Sequence, residues 1–594
     1  MEINWTEDQC KIFDLENFKD GKLIVKACPG SGKTLCVSER IIRFINEHEN
    51  NQSGLAILSF TNVAIDEINE RYEKETNEKI VYPHFIGTID SFINKYIFLP
   101  FGHLVMKCNK RPILVGEPYA PWHHKLYNDN FFDKISYSMP NRKIVKIGQR
   151  FDLTPAMMRS KMKYTREGYA TQEDANYFAI EILEKYPEIA KSIICKFPYM
   201  IIDEAQDMSS KQMKILDLLI ENGLQNILLV GDPDQAIFKW RTAEPELFIQ
   251  KYNQWNEKYE TGIKLKYTFR CNKNISKYLS KLSKSEVISK SNDPYDFKPK
   301  IISHNNNYEE IAKEFLNDVK SITQDIDKTN TAVLFRQKDG LKKLFKNNAQ
   351  HNPNRNIFKN IQKDLEKLNK DTPGIQLPHF NNVQNYTENI IKGEYYLLQG
   401  DLFNGFKEFE KAYIKIEFNE YNNIQAAINQ SIVENGFYKH RVNVWDFINS
   451  FNKPLNKNQL IDEWITSHNQ NFLDKKSKIY LNNIKTKDKK LKIKLNETLT
   501  WDNLSISIQR QDIDYYYGTI HIVKGKTFDS VLLILNSNYG NQLGKELIDN
   551  EELRNIYVGM SRAKHILYIA VPENDYGKWK DYFEPKFIQT TLIL

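Results

Sequence analysis

The chain has 594 residues, a length that predicts about four domains and leaves room for several cores. Its formal net charge is +7, which is small for this length, so charge permits a nucleic-acid partner without requiring one. The six cysteines show no C-x-x-C spacing, which argues against a zinc module and favours a reducing compartment.

The N-terminus, "MEINWTEDQ", is neither basic nor apolar enough for a signal peptide. No apolar run in the sequence approaches the length of a membrane-spanning helix. We therefore expect a cytoplasmic protein that acts without a membrane.

The first distinctive stretch is "KACPGSGKT", Lys26 to Thr34, which has the composition of a phosphate-binding loop. Such a loop must lie between a buried strand and the start of a helix. The apolar run "KLIVKA" predicts the strand. Apolar residues then recur at helical spacing, at Leu35, Ile41, Ile42 and Ile45. The alternative is a glycine-rich turn that binds nothing, and the Lys-Thr pair together with both flanks argues against it.

Each residue type in this loop suits a nucleotide. Gly30 and Gly32 let the backbone turn its N–H groups onto β-phosphate oxygens. Lys33 places a charge between the β- and γ-phosphates, and Thr34 offers a hydroxyl to Mg²⁺. The glycine that often opens the motif is replaced by Ala27. The sequence thus predicts a site for ATP and Mg²⁺ whose nucleotide-binding loop residues are Ala27, Cys28, Pro29, Gly30, Ser31, Gly32, Lys33 and Thr34.

A metal-positioning carboxylate is expected at the end of another apolar strand, and "YMIIDEAQD" supplies one. Tyr199 to Ile202 form the predicted strand. Asp203 would hold Mg²⁺ through water, and Glu204 would polarise the water that attacks the γ-phosphate. An acidic pair after a strand is common on protein surfaces, so ATP hydrolysis is predicted from its combination with the phosphate loop.

A third strand is predicted in "NILLVGDPDQAIFKW", which presents Gln235 after its end. A glutamine there can hydrogen-bond both the γ-phosphate and the catalytic water, so it can report whether the phosphate is present. The "GDPD" composition also predicts an ordinary surface turn. The two interpretations are compatible.

Together with further segments, these stretches resemble the motifs of superfamily 1 helicases of the UvrD/Rep/PcrA type, in family order over nearly the whole chain. The segment "TEDQ" is similar to the Q motif, and "SFTNVAIDEINER" and "GTIDSF" resemble strand-tracking motifs. The later similar segments are "LKYTFRCNKNI", "TAVLFRQ", "TIHIVKGKTFDSVLLI" and "YVGMSRAKHILYIA". The resemblance implies an α/β fold with two RecA-like parallel-sheet motor domains and two mostly helical insertions.

The resemblance also implies roles for residues outside the phosphate loop. Gln9 corresponds to the residue that reads adenine, and Phe269 to the aromatic residue that stacks on it. Arg270 and Arg562 correspond to arginines aimed at the γ-phosphate, the second being the arginine finger. Because both would lie on the second motor domain, ATP is expected to close the cleft and hydrolysis to relax it. The expected catalytic residues are Glu204, Gln235, Arg270 and Arg562.

One position departs from the family pattern. The coupling motif is usually K-G-L-E-F, whose glutamate holds the ATP ribose, whereas this chain has "KGKTF" with Thr527 at that position. A threonine hydroxyl can reach a sugar oxygen, but it replaces a charge-assisted hydrogen bond by a neutral one. The sequence therefore leaves nucleotide selectivity open.

The positions that contact a nucleic-acid strand in the family are occupied here by Phe60, Thr61, Asn62, Thr88, Trp240 and His521. These residues would bind the strand through base stacking and contacts with its backbone. A core aromatic is the alternative for Phe60 and Trp240, although "FKWR" puts Trp240 beside charged residues and favours a contact. The family polarity implies 3′ to 5′ movement on single-stranded DNA, and RNA is a less favoured substrate.

The resemblance divides the chain into motor domains and insertions. The first motor domain is expected at 1–96 and 175–250 with an insertion at 97–174, and the second at 251–345 and 511–594 with an insertion at 346–510. Adjacent histidines in "PWHHK" are interpreted as surface residues rather than metal ligands. A lysine-rich stretch from Lys475 to Lys494 predicts either a contact with duplex phosphates or a solvated face.

Two functions fit the sequence. One is an ATP-dependent DNA helicase that acts on single-stranded and tailed duplex DNA in repair or antiphage defence. The other is an ATP-gated DNA-sensing subunit that regulates a separate nuclease and unwinds weakly. The second follows from a looser resemblance, in size and style, to the helicase-like subunits of Gabija-type antiphage systems. Because the chain ends soon after the last motif, we expect no fused nuclease.

Overall fold

The computed structural model describes both motor-domain regions and parts of the two insertions. The described residues are 4–14, 21–47, 53–115, 132, 134–139, 141–147, 151–237, 243–293, 295–322, 330–336, 389–390, 393, 397, 402–417, 424–449 and 515–585. Trp240, the "PWHHK" segment and residues 475–494 lie outside them, so the predictions made for those positions remain predictions.

Strands and helices alternate through most of the described chain. The strands are β1 (Lys22–Ala27), β2 (Leu55–Ser59), β3 (Phe85–Thr88), β4 (Ile113–Leu114), β5 (Ile135–Ser138), β6 (Lys143–Lys146), β7 (Tyr169–Ala170), β8 (Tyr199–Ile202), β9 (Asn226–Gly231), β10 (Gly262–Leu265), β11 (Tyr267–Thr268), β12 (Ile288–Ser289), β13 (Lys300–His304), β14 (Thr331–Phe335), β15 (Tyr515–Thr519), β16 (Phe528–Ile534) and β17 (Ala563–Pro572). The helices are α1 (Glu7–Phe13), α2 (Lys33–Glu47), α3 (Asn62–Thr76), α4 (Ile89–Ile93), α5 (Leu99–Met106), α6 (Pro155–Arg166), α7 (Gln172–Lys185), α8 (Pro187–Lys196), α9 (Ser210–Glu221), α10 (Pro245–Tyr259), α11 (Lys273–Ser283), α12 (Tyr308–Ile322), α13 (Leu402–Glu417), α14 (Ile424–Asn435), α15 (Phe437–Asn449), α16 (Glu551–Met560) and α17 (Glu573–Phe583).

The first large sheet has the strand order β10-β1-β9-β8-β2-β3, and each neighbouring pair is parallel. In a parallel sheet the carboxyl ends of all strands lie along one edge. The residues that follow β1, β8 and β9 therefore meet at this edge. The fold thus brings together the phosphate loop, the acidic pair and the Gln235 segment.

Helices cover both faces of this sheet, which explains the apolar runs in its central strands β9, β8 and β2. Alternate residues of a strand point to opposite faces. In β1, Ile24 joins one core, which includes residues of α4, α5, α7, α8, α9 and α10. Its neighbours Leu23 and Val25 join a second core with residues of α1, α2 and α3.

The second large sheet has the order β13-β17-β16-β14-β15, again with parallel neighbours. It confirms the expected α/β class with two parallel-sheet motor domains. Its core also includes Ile237, which follows the third strand of the first sheet. The two motor domains therefore share buried apolar contacts near the predicted γ-phosphate sensor.

One strand lies outside its predicted domain. The predicted boundary places residues from 251 onward in the second motor domain, but β10 pairs with β1 and completes the first sheet. The first sheet thus extends to Leu265, beyond the helix α10 that packs against it.

The chain divides into two compact units, of which the first comprises Met1–Leu114, Phe131–Leu344 and Asp514–Leu594. The second comprises Val115–Asn130 and Phe345–Ile513. Both large sheets lie in the first unit. Within the described ranges, no helix combines the length and the apolar character needed to cross a bilayer.

The described part of the second unit consists mainly of α13, α14 and α15, joined by a buried polar network. Ser431 Oγ lies 2.9 Å from His440 Nδ1, and His440 Nε2 lies 2.9 Å from Glu410 Oε1. Ser431 and His440 are fully buried. The network therefore ties the three helices together rather than presenting a nucleophile, because a substrate cannot reach the serine.

Candidate nucleotide site and nucleic-acid interface

The phosphate loop runs from the end of β1 to the start of α2, with the strand and helix flanks that its sequence predicted. Gly30 and Gly32 have φ angles of 72° and 78°, which a residue with a side chain rarely adopts. A Cβ added to Gly30 would lie 2.5 Å from Arg270 Cβ. Glycine at this position thus permits both the loop backbone and the close approach of Arg270.

Lys33 is the first residue of α2 and pairs with the acidic residues that follow β8. Its Nζ donates to Glu204 Oε1 and lies 3.5 Å from Asp203 Oδ1. Burial by itself would lower the pKa of Lys33, but Asp203 and Glu204 hold it above its ordinary value. The lysine is therefore charged and is held on the carboxylate side of the loop.

The two carboxylates occupy different environments. Asp203 is almost fully buried, and burial raises its pKa even though Lys33 opposes the shift. Burial acts in the same direction on Glu204, but Lys33 and Lys524 hold its pKa well below the usual range. Glu204 is therefore ionised. Thr34 Oγ1 lies 3.5 Å from Asp203 Oδ2, so the hydroxyl and carboxylate predicted to serve Mg²⁺ face each other.

Glu204 adopts a left-handed backbone conformation, with φ 56° and ψ 36°. Such a conformation costs a non-glycine residue on the order of 1–3 kcal/mol and is concentrated at functional sites. Gln206 stabilises the arrangement, since its Nε2 donates to Glu204 Oε2 at 2.6 Å. Its Oε1 accepts from the Asp232 amide at 2.9 Å, which ties the acidic pair to the end of β9.

Gln235 forms one of the contacts between the two motor domains at this site. Its Nε2 donates to Asp232 Oδ2 at 2.5 Å, and its Oε1 accepts from Arg562 Nη2 at 2.6 Å. Arg562 is 1% exposed and also donates from Nε to the carbonyl of Val558. The structure thus brings together the residues predicted as γ-phosphate sensor and arginine finger.

Arg270 lies beside Arg562 and reaches the same part of the second domain. Its Nη1 donates to the Ser561 carbonyl at 3.2 Å. Burial, together with the nearby charge of Arg270, lowers the pKa of Arg562 to about 9. Two guanidinium groups therefore converge next to the phosphate loop, an arrangement that favours an anion between them.

Phe269 and Gln9 each contact the backbone of the phosphate loop. The Phe269 amide donates to the Gly30 carbonyl at 2.9 Å, and Phe269 is 39% exposed, as stacking on a base requires. Gln9 closes a capping box with Thr6 at the start of α1 and donates from Nε2 to the Ser31 carbonyl at 3.0 Å. An amide nitrogen carries two donors, so the contact with Ser31 is compatible with the predicted contact of Gln9 with adenine, which remains a prediction.

Thr527 immediately precedes β16 and is half-buried. The carbonyl of the preceding residue, Lys526, accepts from Arg562 Nη1 at 3.3 Å. Thr527 is thus one residue from a contact of Arg562, the predicted arginine finger. Its predicted role toward the ribose remains a prediction.

The residues predicted to contact a strand lie at the carboxyl edge of the first sheet and at the domain junction. Thr61 follows β2 and caps α3, and Thr88 is the last residue of β3 and caps α4. The strands β2 and β3 are paired with each other. Asn62 is exposed, whereas Phe60 is half-buried against the core of the second domain. This packing gives the Phe60 ring apolar partners, and its predicted contact with a strand remains a prediction.

His521 lies in a short 3₁₀ helix, Ile520–Val523, after β15. Its imidazole hydrogen-bonds the Ile237 backbone, which by itself would raise the pKa of His521. Burial, and to a smaller extent the charge of Arg336, outweigh this effect and lower the pKa. It therefore contacts the segment that leads toward Trp240.

The structure adds two residues that the sequence did not single out. Lys524 Nζ donates to Asp207 Oδ2 at 2.5 Å and lies 3.5 Å from Glu204 Oε2, so the second domain supplies a cation to the acidic pair. Arg554 donates from Nε to the Ala236 carbonyl at 2.5 Å. A buried lysine or arginine requires such partners, but the sequence does not identify them.

The structure thus brings together a glycine-rich loop, an acidic pair and arginines from a second parallel-sheet domain, the parts predicted for a nucleotide site of the P-loop class. Residues 5–113 and 146–256 match the family model of the UvrD/REP helicase N-terminal domain. The matched ranges contain the phosphate loop, the acidic pair and Gln235. The predicted resemblance to UvrD-type superfamily 1 helicases is thereby confirmed.

Several characterised proteins are similar to parts of the chain. It is 31% identical over 173 residues to an ATP-dependent helicase/nuclease subunit of Lactococcus lactis subsp. cremoris (strain SK11), covering 27% of this chain and 13% of that protein. It is 28% identical over 264 residues to Gabija protein GajB of Bacillus cereus (strain VD045), covering 43% of this chain and 46% of that protein. It is 34% identical over 125 residues to exonuclease/helicase subunit RexA of Streptococcus pneumoniae serotype 4 (strain ATCC BAA-334 / TIGR4), covering 21% of this chain and 9% of that protein. The chain therefore spans less than half the length of the curated relatives it matches.

Proposed function

We propose that this chain is an ATP-driven motor that moves 3′ to 5′ on single-stranded DNA and unwinds tailed duplexes, in DNA repair or antiphage defence in the cytoplasm. The observation that carries the proposal is the hydrogen bond from Arg562 of the second domain to Gln235 of the first. A motor requires that the nucleotide state be felt by both domains. This contact lies beside the residues that would hold the γ-phosphate.

The residues at the site fit ATP with Mg²⁺. Thr34 and Asp203 offer a hydroxyl and a carboxylate, the oxygen donors that Mg²⁺ prefers. Among the described residues there is no cluster of three or more metal-binding side chains. This composition suits an ion such as Mg²⁺, whose remaining ligands are water and substrate phosphates rather than protein side chains. When bound, Mg²⁺ neutralises charge on the β- and γ-phosphate oxygens.

Lys33 and Glu204 would act in sequence. Phosphate oxygens that arrive at the loop compete with Glu204 for the Lys33 amine, because Lys33 pairs with that carboxylate. When the Lys33 ammonium group leaves Glu204 and binds the phosphates, Glu204 stays ionised and can accept a proton from the attacking water. Asp203 remains as the metal-positioning carboxylate.

The two arginines would convert hydrolysis into domain movement. Arg270 and Arg562 lie beside the phosphate loop and Gln235, where a γ-phosphate attracts both. Loss of that charge after hydrolysis weakens the attraction, and the cleft relaxes. Thr61, Asn62, Thr88, His521 and Trp240 would hold the strand during the cycle, with Trp240 supplying a stacking surface.

A second candidate function is an ATP-gated subunit that binds DNA and regulates a separate nuclease while unwinding weakly. The similarity to a Gabija protein and to a subunit of an ATP-dependent helicase/nuclease supports this alternative. The same nucleotide site would serve it, because gating also requires ATP to close the cleft. Strand displacement separates the two functions.

The test is a pair of measurements on the isolated chain. ATP hydrolysis is measured without nucleic acid, with single-stranded DNA and with single-stranded RNA of the same sequence. Strand displacement is then measured on 3′-tailed and 5′-tailed DNA duplexes. The motor function predicts DNA-stimulated hydrolysis and displacement of the 3′-tailed duplex. DNA-stimulated hydrolysis without displacement of either duplex would favour the regulatory function, and stronger stimulation by RNA would overturn the choice of DNA.

A further inference from the structure

Arg554 lies on α16 and joins the two motor domains through main-chain carbonyls. It is 1% exposed. Its Nε donates to the Ala236 carbonyl of the first domain at 2.5 Å. Its Nη1 donates to the carbonyls of Leu547 and Ile548 of the second domain, at 2.7 and 2.5 Å. One guanidinium thus bridges the segment after β9 and the loop before α16.

The chemistry of these contacts favours an anchor for the backbone. Burial lowers the pKa of Arg554, while Glu551, Glu246 and Asp234 oppose the shift and favour the charged form. A charged guanidinium bound to a carbonyl forms a stronger hydrogen bond than a neutral donor does. Because the acceptor is the Ala236 main chain, the contact fixes the path of this segment and does not depend on a bound nucleotide.

The neighbouring residues hold the same segment from the second domain. Ile237 is fully buried in the core that also contains Leu553 and Ile556 of α16. His521 hydrogen-bonds the Ile237 backbone. Ala236 and Ile237 therefore make polar and apolar contacts with the second domain, although they follow β9 of the first sheet by only a short 3₁₀ helix, Pro233–Gln235.

Arg554 and Arg562 hold adjacent residues of this segment in different ways. Arg562 binds the Gln235 side chain next to the phosphate loop, so its contact depends on the nucleotide state. Arg554 lies roughly two helical turns earlier and binds the Ala236 main chain. When the first contact weakens after hydrolysis, the second keeps the segment attached to the second domain.

We propose that Arg554 is the positioning residue that couples ATP hydrolysis to nucleic-acid binding, by making the segment Gln235 to Ile237 move with the second motor domain. The inference rests on the proposed motor function and identifies the contact that transmits the nucleotide state. Without this anchor, Gln235 can change partners while the residues that follow it stay in place. ATP hydrolysis then continues without responding to the strand.

Arg554→Met tests the coupling, because methionine retains an apolar stem and removes every donor. The readouts are the ratio of DNA-stimulated to unstimulated kcat, and the ratio of single-stranded DNA Kd values with and without a non-hydrolysable ATP analogue. We expect both ratios to fall about tenfold toward one, within the range typical of coupling between sites. The KM for ATP and the unstimulated kcat should stay within about threefold of wild type.

Arg336→Met is the matched control. Arg336 forms a bidentate ion pair, at 2.7 and 2.8 Å, with Glu552 of α16, the helix that also carries Arg554. This ion pair lies within the second domain. The control removes a comparable arginine contact from α16 without cutting the link to the first domain. It should lower the thermal midpoint and leave both coupling ratios near the wild-type values.

Wild-type coupling ratios in folded Arg554→Met would overturn the inference. A lower thermal midpoint with equal loss of stimulated and unstimulated turnover would also overturn it, because that result describes a structural role. If Arg554→Met does not fold, Arg554→Gln replaces it, because its shorter neutral amide reaches at most one of the carbonyls. Wild-type coupling ratios in Arg554→Gln would also overturn the inference. Failure of the proposed motor function would look different, as a wild-type chain whose ATPase does not respond to DNA.

Discussion

Glu204→Gln is expected to strengthen ATP binding while it blocks hydrolysis. The structure gives the reason, because Glu204 pairs with Lys33, the residue that we propose binds the phosphates. Glutamine keeps the size of the side chain and its contact with Gln206, but it removes the charge that competes for Lys33. Asp203, the residue proposed to position the metal, is unchanged.

The size of the effect follows from the type of hydrogen bond. Lys33 stays charged and still donates to the amide, so the hydrogen bond belongs before and after the substitution to the class that contributes about 1.5–3 kcal/mol. A change from the top of that range, for an ion pair, to its bottom releases about 1.5 kcal/mol of competition, which corresponds to about tenfold tighter ATP binding. Loss of the general base should lower kcat by roughly 10²- to 10⁴-fold.

Equilibrium binding of a fluorescent ATP analogue, with steady-state hydrolysis beside it, measures both effects. Glu204→Asp is the control, because it keeps the charge and should bind ATP nearly as wild type does, although it hydrolyses slowly. Weaker ATP binding by Glu204→Gln than by Glu204→Asp would refute the competition for Lys33. Wild-type turnover of Glu204→Gln would refute the assigned base.

Three other substitutions test separate parts of the structure. Lys33→Ala should abolish ATP hydrolysis, because the phosphates lose their fixed counter-charge, and DNA-stimulated turnover at the wild-type rate would end the assignment of the loop. Thr527→Ala should raise the KM for ATP more than it lowers kcat, as expected when ground-state binding is lost, and unchanged kinetics would remove Thr527 from the nucleotide site. Lys161→Met should lower the free energy of unfolding in urea by about 3–5 kcal/mol, because it leaves the carboxylate of Asp174, buried and 2.6 Å from Lys161 Nζ, without its counter-charge. The exposed Lys313→Met is its control and should cost less than about 0.5 kcal/mol, so equal stabilities of the two variants would contradict the prediction.

The strands around the nucleotide site were predictable because they are buried on both faces. Such strands form continuous apolar runs with clear ends, and the predicted Lys22–Ala27 and Tyr199–Ile202 have the bounds found in the structure. The position of the phosphate loop followed from its flanks. The sequence predicted that Gly30 and Gly32 allow the backbone of the loop to turn, and the positive φ angles of both residues give the physical reason.

Other features depend on contacts between residues that are distant in the sequence. The short strand β10 carries no local signal for its partner, so the predicted boundary at residue 251 assigned it to the second motor domain, whereas it pairs with β1 of the first sheet. Lys524 pairs with Asp207 across 317 residues, and Arg554 binds Ala236 across 318. In "EELRN" an arginine among acidic residues looks like part of an exposed helix, and only the fold shows that Arg554 is buried.

Phe60 illustrates a limit of reasoning from position alone. Its place after β2 suits both a contact with a base and a contact with the core. The structure packs the ring, half-buried, against the core of the second domain. An aromatic residue at a domain junction can serve either purpose, and the apolar partners that the second domain supplies to it are encoded in a distant part of the sequence.

The central claim is that ATP hydrolysis drives this chain along single-stranded DNA in one direction. Displacement of streptavidin from single-stranded oligonucleotides that carry biotin at either the 5′ or the 3′ end measures this directly. A motor that moves 3′ to 5′ should displace streptavidin from the 5′ end in the presence of ATP and leave the 3′-end complex intact, and Lys33→Ala should displace neither. ATP hydrolysis stimulated by the same oligonucleotides, without displacement from either end, would contradict the claim.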